Sequence, residues 1–524
     1  MKNKILYMGT ALAMLLCALV FLALGERTDV LRFHQHLEQP GEAELGACTV
    51  CEGKGGLCTH LPVIRIDTNG QKIPGAAILD KNLLVLAYET GPNGEEEIQA
   101  NISTIEEENV WHHADDPATH SSSALIRYRG NTSRSFSKHS YSIKLIEQGE
   151  PELNRDLPLM GMNADSEWSL HGPFLDKTLL RNYMWMNISA EVMGYAPNVR
   201  LCELVLDGEY QGVYVLMETI REGEGRVDLT DYEPGDPICS YIVRIGSNLD
   251  PLKTIENFTY YTYRLDESKE MEVIYPGTMH QTQDVHDYIC TDLSQAEYLL
   301  YSAQMNDGSR AYRDVLDVDS FVNYYILQEF LAVNDAFSES TYFYRDVRGK
   351  IHVGPVWDYN NVLDNFPRPV PMDELILAQR GWYGQLMTDK DFVERIIHRY
   401  NQLRQGVLSD EYLNTYLDET VAWLGSAVKR NYTVWGYSFD PQQLSRVEYR
   451  QPTISDVLKI TRAYPEQNEQ ILNEWILKLN PADYDQAIQW MRESMLERGA
   501  WLDQNIDSLR QYCSDSKNAT RILG

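Results

Sequence analysis

The chain has no run of lysine or arginine anywhere in its 524 residues, and its 46 basic side chains are outnumbered by 77 acidic ones. A net charge of -31 repels phosphate backbones, so nucleic acid is excluded as a partner. Cysteine is also sparse, with 8 residues in all. Cys17 falls in an apolar run, Cys48, Cys51 and Cys58 cluster in CTVCEGKGGLCTH, and Cys202, Cys239, Cys290 and Cys513 are scattered. This usage fits an exported protein. The cluster with His60 is a Zn²⁺ ligand set by residue type, and outside the membrane a disulfide is an equal alternative. The pair His112-His113 in the polar link after β-like IQANISTI could bind metal by residue type, and a solvated loop is the stronger reading. Charge-free apolar runs of membrane length are confined to Ile5–Leu24, which follows Lys2 and Lys4.

At a rise of about 1.5 Å per residue that run spans a hydrocarbon core of about 30 Å. The expectation is an uncleaved amino-terminal anchor with the remainder exported; Ala23-Leu24-Gly25 offers a cleavage site for the alternative, a secreted or spore-associated protein. With 43% hydrophobic and 10% aromatic residues, the chain has ample material for folded domains. An acidic body attracts basic ligands. Any macromolecular substrate is therefore expected to be a Lys/Arg-rich protein.

Two acidic residues at the ends of a hairpin dominate the chemistry. Asp335 follows DVDSFVNYYILQEFLAV, whose apolar positions recur at helical spacing, and so sits where a helix gives way to a loop. TYFYRDV and KIHVGPVW read as strands joined at Arg348-Gly349, and Asp358 closes the second strand. A hairpin brings its outer ends together. One carboxylate can then accept or orient a hydroxyl proton while the other holds Mg²⁺ against nucleotide phosphates. As isolated residues, the two read rather as a loop cap and a turn before Asn360-Asn361, since Asp and Asn are ordinary turn residues.

Upstream, ALIRYRG and HSYSIKL flank a loop of Gly, Asn, Thr and Ser, of the small residues that let backbone N–H groups approach phosphate. The loop is neither G-x-G-x-x-G nor a Walker sequence. Arg129, Arg134, Lys138 and Lys144 supply positive charge nearby. On the second strand Tyr141, Ile143 and Leu145 share one face and Ser142 and Lys144 the other, which points Lys144 toward a cleft.

Five blocks in order, RGNTSRSFSKHSYSIKL, SEWSLHGPFLDKTLLRN, APNVRLCELVLDGEYQGVYVLMETI, FLAVNDAFSESTYFY and VGPVWDYNN, resemble the spore coat protein H (CotH) kinase family over about Leu61–Leu509. The resemblance implies a protein-kinase-like α+β fold in two lobes without the H-R-D or D-F-G spellings. It also implies ATP- and Mg²⁺- or Mn²⁺-dependent transfer of phosphate to Ser or Thr of a protein, such as a Ser-rich coat or envelope protein. On this likeness Asp335 matches the catalytic Asp and Asp358 the metal-binding Asp, with Asn360 close enough to assist. Arg129, Gly130, Asn131 and Ser133 match the phosphate-contacting loop. Lys138 and Lys144 both match basic positions, and strand geometry favours Lys144. By chain order Glu218, at the end of the hairpin through Asp207-Gly208, would contact the ribose or adenine, and Glu191 is the candidate partner of the strand lysine.

The sequence departs from the family pattern after Asp335. Ser338, Glu339, Ser340 and Thr341 occupy an interval where the family has Asn, and a hydroxyl is a weaker metal ligand than an amide carbonyl. Alternatives are therefore a non-catalytic surface module with a kinase-like fold, or a transferase that moves another part of the nucleotide. The expected layout is 1–25 signal anchor or signal peptide, 26–60 Cys-containing linker, 61–120 β-rich segment, and 121–222 an amino-terminal lobe with the phosphate loop. Residues 223–510 would form a carboxy-terminal lobe with the Asp pair and helices, and 511–524 a tail.

Overall fold

Period-two alternation in the first half of the chain builds the largest sheet. The computed structural model describes residues 34–51, 56–80, 85–246, 250, 253–255, 271–301, 311–363, 365, 370–444 and 480–516. Ile5–Leu24 lies outside the described residues; among those described, no helix is long and apolar enough to cross a membrane. In chain order the strands are β1 (Cys58–Thr59), β2 (Val63–Asp67), β3 (Ala77–Leu79), β4 (Val85–Tyr88), β5 (Ile98–Ile105), β6 (His112–His113), β7 (His120–Arg129), β8 (Ser140–Glu147) and β9 (Glu150–Asn154). After them come β10 (Glu167–His171), β11 (Val199–Leu206), β12 (Glu209–Glu218), β13 (Tyr241–Ile245), β14 (Thr254–Ile255), β15 (Met271–Tyr275), β16 (Thr341–Arg345) and β17 (His352–Val353).

Seven strands form a closed ring in the order β10-β12-β11-β2-β5-β7-β8, with β8 returning to β10. Neighbours are antiparallel except β11 and β2. Tyr141, Ile143 and Leu145 of β8 fill the interior with Trp168, Leu170, Cys202 and Leu204. That is the apolar face expected from the alternation. Closure leaves the ring no edge to pair with another chain. Segments 61–120 and 121–222 thus contribute strands to one barrel.

Outside the ring, Val199 and Leu201 of β11 and Val213, Val215 and Met217 of β12 join the largest core cluster, with the helix Arg181–Met193. This helix buries nearly all of its residues, so it carries no amphipathic stripe. Asp176 stands five residues ahead of the helix's first residue and still satisfies that end: Oδ2 accepts from the Arg181 N–H (2.9 Å), and Oδ1 pairs with Arg181 Nη1 (2.6 Å). Gly194 ends the helix at φ 81°, a conformation that favours glycine.

A second sheet runs β14-β15-β13-β16-β17. Its β16 and β17 are the predicted hairpin, with Phe343 opposite Val353 and Tyr344 opposite His352. The helix Val318–Phe330 leads to Asp335, capped by Asp317, whose side chain accepts from the Ser320 N–H at 2.8 Å. The later chain is helical as expected, in Lys390–Leu403, Asp410–Leu424, Ser426–Trp435 and Tyr484–Asn505, and Trp423, Met491 and Met495 are core. Buried Arg498 on the last of these donates through Nη2 to Glu329 Oε1 (2.7 Å), while Glu329 also accepts from the N–H groups of Ile376 (2.6 Å) and Leu377 (3.0 Å). This pair anchors the end of the helix that precedes Asp335. The class is mixed α+β, as the sequence indicates.

Candidate active site

Backbone bonds between two loops bring Asp335 and Asp358 to one place. The Leu363 N–H donates to Leu331 O (2.9 Å), stitching the loop after Asp358 to the loop before Asp335, and the Gly354 N–H extends the hairpin to Tyr342 O (2.8 Å). Asp335 O accepts from the N–H groups of Ser338 (3.0 Å) and Glu339 (2.9 Å) and from Ser338 Oγ (3.0 Å). The Ser338 hydroxyl is thus engaged by the backbone at Asp335. Phe337, at φ 61°, lies where Gly381 leaves room: a Cβ there would stand 2.0 Å from the Phe337 ring.

Asp358 itself adopts φ 67°, ψ 58°, a left-handed conformation that Asp tolerates better than most residues. The turn is held from behind. The Tyr359 N–H donates to Asn182 Oδ1 (2.9 Å), its hydroxyl accepts from Gln328 Nε2 (2.9 Å), and Arg181 Nε donates to Val362 O (3.1 Å). Two buried helices therefore aim Asp358. Asp358 is solvent-exposed, and the surrounding protein still desolvates its carboxyl. Burial first, then the Asp335 charge, pushes its pKa up to about 6, against the opposing pull of Arg129.

Beside it, the Asn360 Nδ2 donates to Asn361 Oδ1 (3.3 Å), and its Oδ1 is buried with no hydrogen-bond partner among the described residues. An orphaned amide oxygen next to a carboxylate suits a hard cation, which takes oxygen ligands.

From the barrel, Arg129 at the end of β7 reaches this site. Its Cζ lies 5.0 Å from the centre of the Trp357 ring, and burial lowers its pKa, with Tyr342 and Asp358 opposing that shift and Arg244 and Arg127 adding to it. Gly130 turns the chain at φ 107°, and Ser133 Oγ folds back to donate to Arg129 O (3.3 Å). Asn131 Oδ1 accepts from Tyr88 OH (3.1 Å), and Arg134 stacks over the Tyr88 ring (4.1 Å). The loop residues shape the end of β7, and Arg129 faces Asp358.

Sequence reasoning missed Arg244 and Tyr342. They lie opposite each other on β13 and β16, and Arg244 also pairs with Glu272 on β15. Burial opposes it, but Tyr342 and Glu272 raise the Arg244 pKa. Nothing in YIVRI distinguishes this arginine from a solvated one, since its neighbours come from strands far away in sequence.

Three expected residues are placed otherwise. Lys138 is buried (1% exposed), its Nζ donating to Val213 O (2.7 Å) and Asn431 Oδ1 (2.8 Å), with the Tyr214 ring at 5.1 Å. Its ammonium is a bolt between β12 and the helix Ser426–Trp435. Glu218 is fully buried and accepts from the Asn198 N–H (2.8 Å) and Asn198 Nδ2 (3.1 Å), which spends its carboxylate on the turn into β11. Glu191 is exposed and pairs with His34 (3.1 Å) and Tyr412 OH (2.8 Å), so it does not reach the strand lysine. Lys144 keeps its expected face, half-buried, in register with Leu125 on β7 and Glu167 on β10.

A family model described as CotH kinase protein matches residues 126–502, more than half of the chain and narrower than the Leu61–Leu509 expected. It includes Arg129, at the end of β7, and both acidic residues. No curated protein matches the chain.

Proposed function

The chain belongs to the CotH kinase family, and we propose that it transfers the γ-phosphate of ATP to a serine or threonine hydroxyl of a protein. Family membership supplies the kinase-like function. The observation that supports these site roles is the raised carboxyl of Asp358 beside the Asp335 charge, with Arg129 brought in from the barrel. On this reading Asp335 orients the acceptor hydroxyl and takes its proton as the oxygen bonds to the γ-phosphorus and ADP departs. Arg129 and Arg244 neutralise the phosphate oxygens. Asp358 and the orphaned Asn360 Oδ1 hold Mg²⁺ or Mn²⁺, in place of the Asn missing after Asp335. When bound, the cation offsets charge on the nucleotide phosphates.

The reading keeps the protein-kinase-like division into a β-rich and a helical lobe. The acidic body, with net charge -31, supports a Lys/Arg- and Ser-rich coat or envelope protein as substrate. The apolar run Ile5–Leu24 supports an anchored or secreted enzyme whose catalytic part is exported.

The test is incubation of the purified chain with γ-labelled ATP, Mg²⁺ or Mn²⁺ and a basic Ser-rich peptide, beside Asp335→Asn and Asp358→Asn. Label on peptide serine that each substitution reduces by about 10³-fold or more agrees with the assigned roles. Peptide labelled from α-labelled ATP but not from γ-labelled ATP would replace the kinase reading with another nucleotide transfer.

A further inference from the structure

Outside the family match, four soft donors converge. Cys48, Cys51, Cys58 and His113 each present one ligand atom, and these atoms all lie within 4.8 Å of one another. Among the described residues, no other group of three or more His, Cys, Asp or Glu meets in this way. Cys48 Sγ is 3.4 Å from His113 Nε2, and Cys51 Sγ is 3.3 Å from Cys58 Sγ. A tetrahedral zinc site with Zn–S bonds of about 2.3 Å has edges of about 3.7 Å between ligand atoms. The donors therefore already stand near the corners of such a polyhedron.

We propose that Cys48, Cys51, Cys58 and His113 bind one Zn²⁺ that fastens the segment preceding the barrel to the link between β5 and β7. The histidine is oriented for it. Asp116 Oδ2 accepts from the His113 N–H (2.7 Å) and lies 3.2 Å from Nδ1, which leaves Nε2 facing the thiols, as second-shell carboxylates do for metal-bound histidines. The backbone alone holds the two segments weakly, since β1 and β6 pair over only two residues, Cys58 with His113 and Thr59 with His112. Joining them would stabilise the entry to β2, whose Val63 packs with Ile105 and Val205. His60, the histidine nearest the cysteines in sequence, is instead packed edge-on against Trp423 at 5.0 Å, with Glu42 at 3.7 Å. A disulfide between Cys51 and Cys58 would use two of the four donors and leave Cys48 and His113 without a purpose in common.

The experiment is metal analysis of the full chain, purified under reducing conditions without chelator, with Co²⁺ substitution. Expected are one zinc per chain and the intense visible bands of a tetrahedral Co²⁺–thiolate site. His113→Ala should weaken binding at least tenfold, while His113→Cys, His60→Gln and Asp335→Asn should keep it. Since Asp335→Asn addresses only phosphate transfer, the two proposals fail separately. Reduced protein that binds neither Zn²⁺ nor Co²⁺, a chain isolated with a Cys51–Cys58 disulfide that takes up no metal after reduction, or loss of binding in His60→Gln with retention in His113→Ala would each overturn the assignment.

Discussion

The guanidinium of Arg129 stands over the indole of Trp357, Cζ 5.0 Å from the ring centre, so that a barrel residue is clamped to the residue before Asp358. A planar cation on an aromatic face is both attracted and oriented. Arg129→Ala is expected to lower kcat/KM for ATP by about 10²–10³-fold, the scale of losing one preorganised donor. Arg129→Lys should recover little, because a compact ammonium reproduces neither the stacking nor the fork. Steady-state kinetics with ATP as the varied substrate check this; a lysine variant with wild-type constants would show that charge alone matters.

Asp358 links the site to pH. Its carboxyl is raised to about 6, above the usual value of about 3.9, so the folded chain keeps this proton to higher pH than the unfolded chain does. The resulting destabilisation is absent below the unfolded pKa, grows as pH rises, and is complete above about 6. Asp358→Asn, which also suits the left-handed backbone, should raise the thermal midpoint at pH 8, with the gain shrinking as pH falls through 6 toward 4. Stabilisation of the native chain by Mn²⁺ should strengthen over the same rise in pH and be lost in the variant. Thermal unfolding at pH 5 and pH 8 decides; a lower midpoint for the variant at pH 8 would contradict the burial argument.

Lys138 predicts a separation of stability from catalysis. Removing its ammonium leaves Val213 O without that donor, while Asn431 Oδ1 still accepts from the Val213 N–H at 3.1 Å. Lys138→Met should cost about 1–3 kcal/mol of stability. The KM for ATP of the folded fraction should not change. A KM raised tenfold with stability intact would show that this lysine reaches phosphate after all.

The buried pair of Glu329 and Arg498 should be intolerant of half-removal. Glu329→Gln leaves an uncompensated buried cation and is expected to cost about 3–5 kcal/mol, whereas Glu329→Gln with Arg498→Met, which removes the cation and keeps an amide oxygen for the Ile376 and Leu377 N–H groups, should cost less. Urea unfolding of the single and double variants measures this. Equal losses in both would mean that packing, and not charge, dominates there.

The Asp335–Asp358 pairing was legible because a hairpin is local: β16 and β17 are neighbours in sequence, and their alternation and turn residues name their partners. The inward face of β8 was legible for the same reason, as Tyr141, Ile143 and Leu145 differ from Ser142 and Lys144 within one short strand. The choice between Lys138 and Lys144, the placement of Glu218 and the role of Arg244 were not, because each depends on a residue from elsewhere in the chain. The same distance in sequence separated His113, a metal candidate by residue type, from the cysteines, which group in sequence with the neighbouring His60.

The amino-acid sequence by itself thus determined the strands and helices, the loop position of Asp335, the hairpin and the acidic character of the body, since periodicity, turn chemistry and charge act over a few residues. Only the tertiary structure decided that β8 closes on β10, that β2 lies parallel to β11, that Arg129 rests on Trp357 and that Lys138 is withdrawn to Asn431. Those contacts join residues distant in the chain, and which of them form is settled by the burial of the whole apolar surface together, which no single segment encodes.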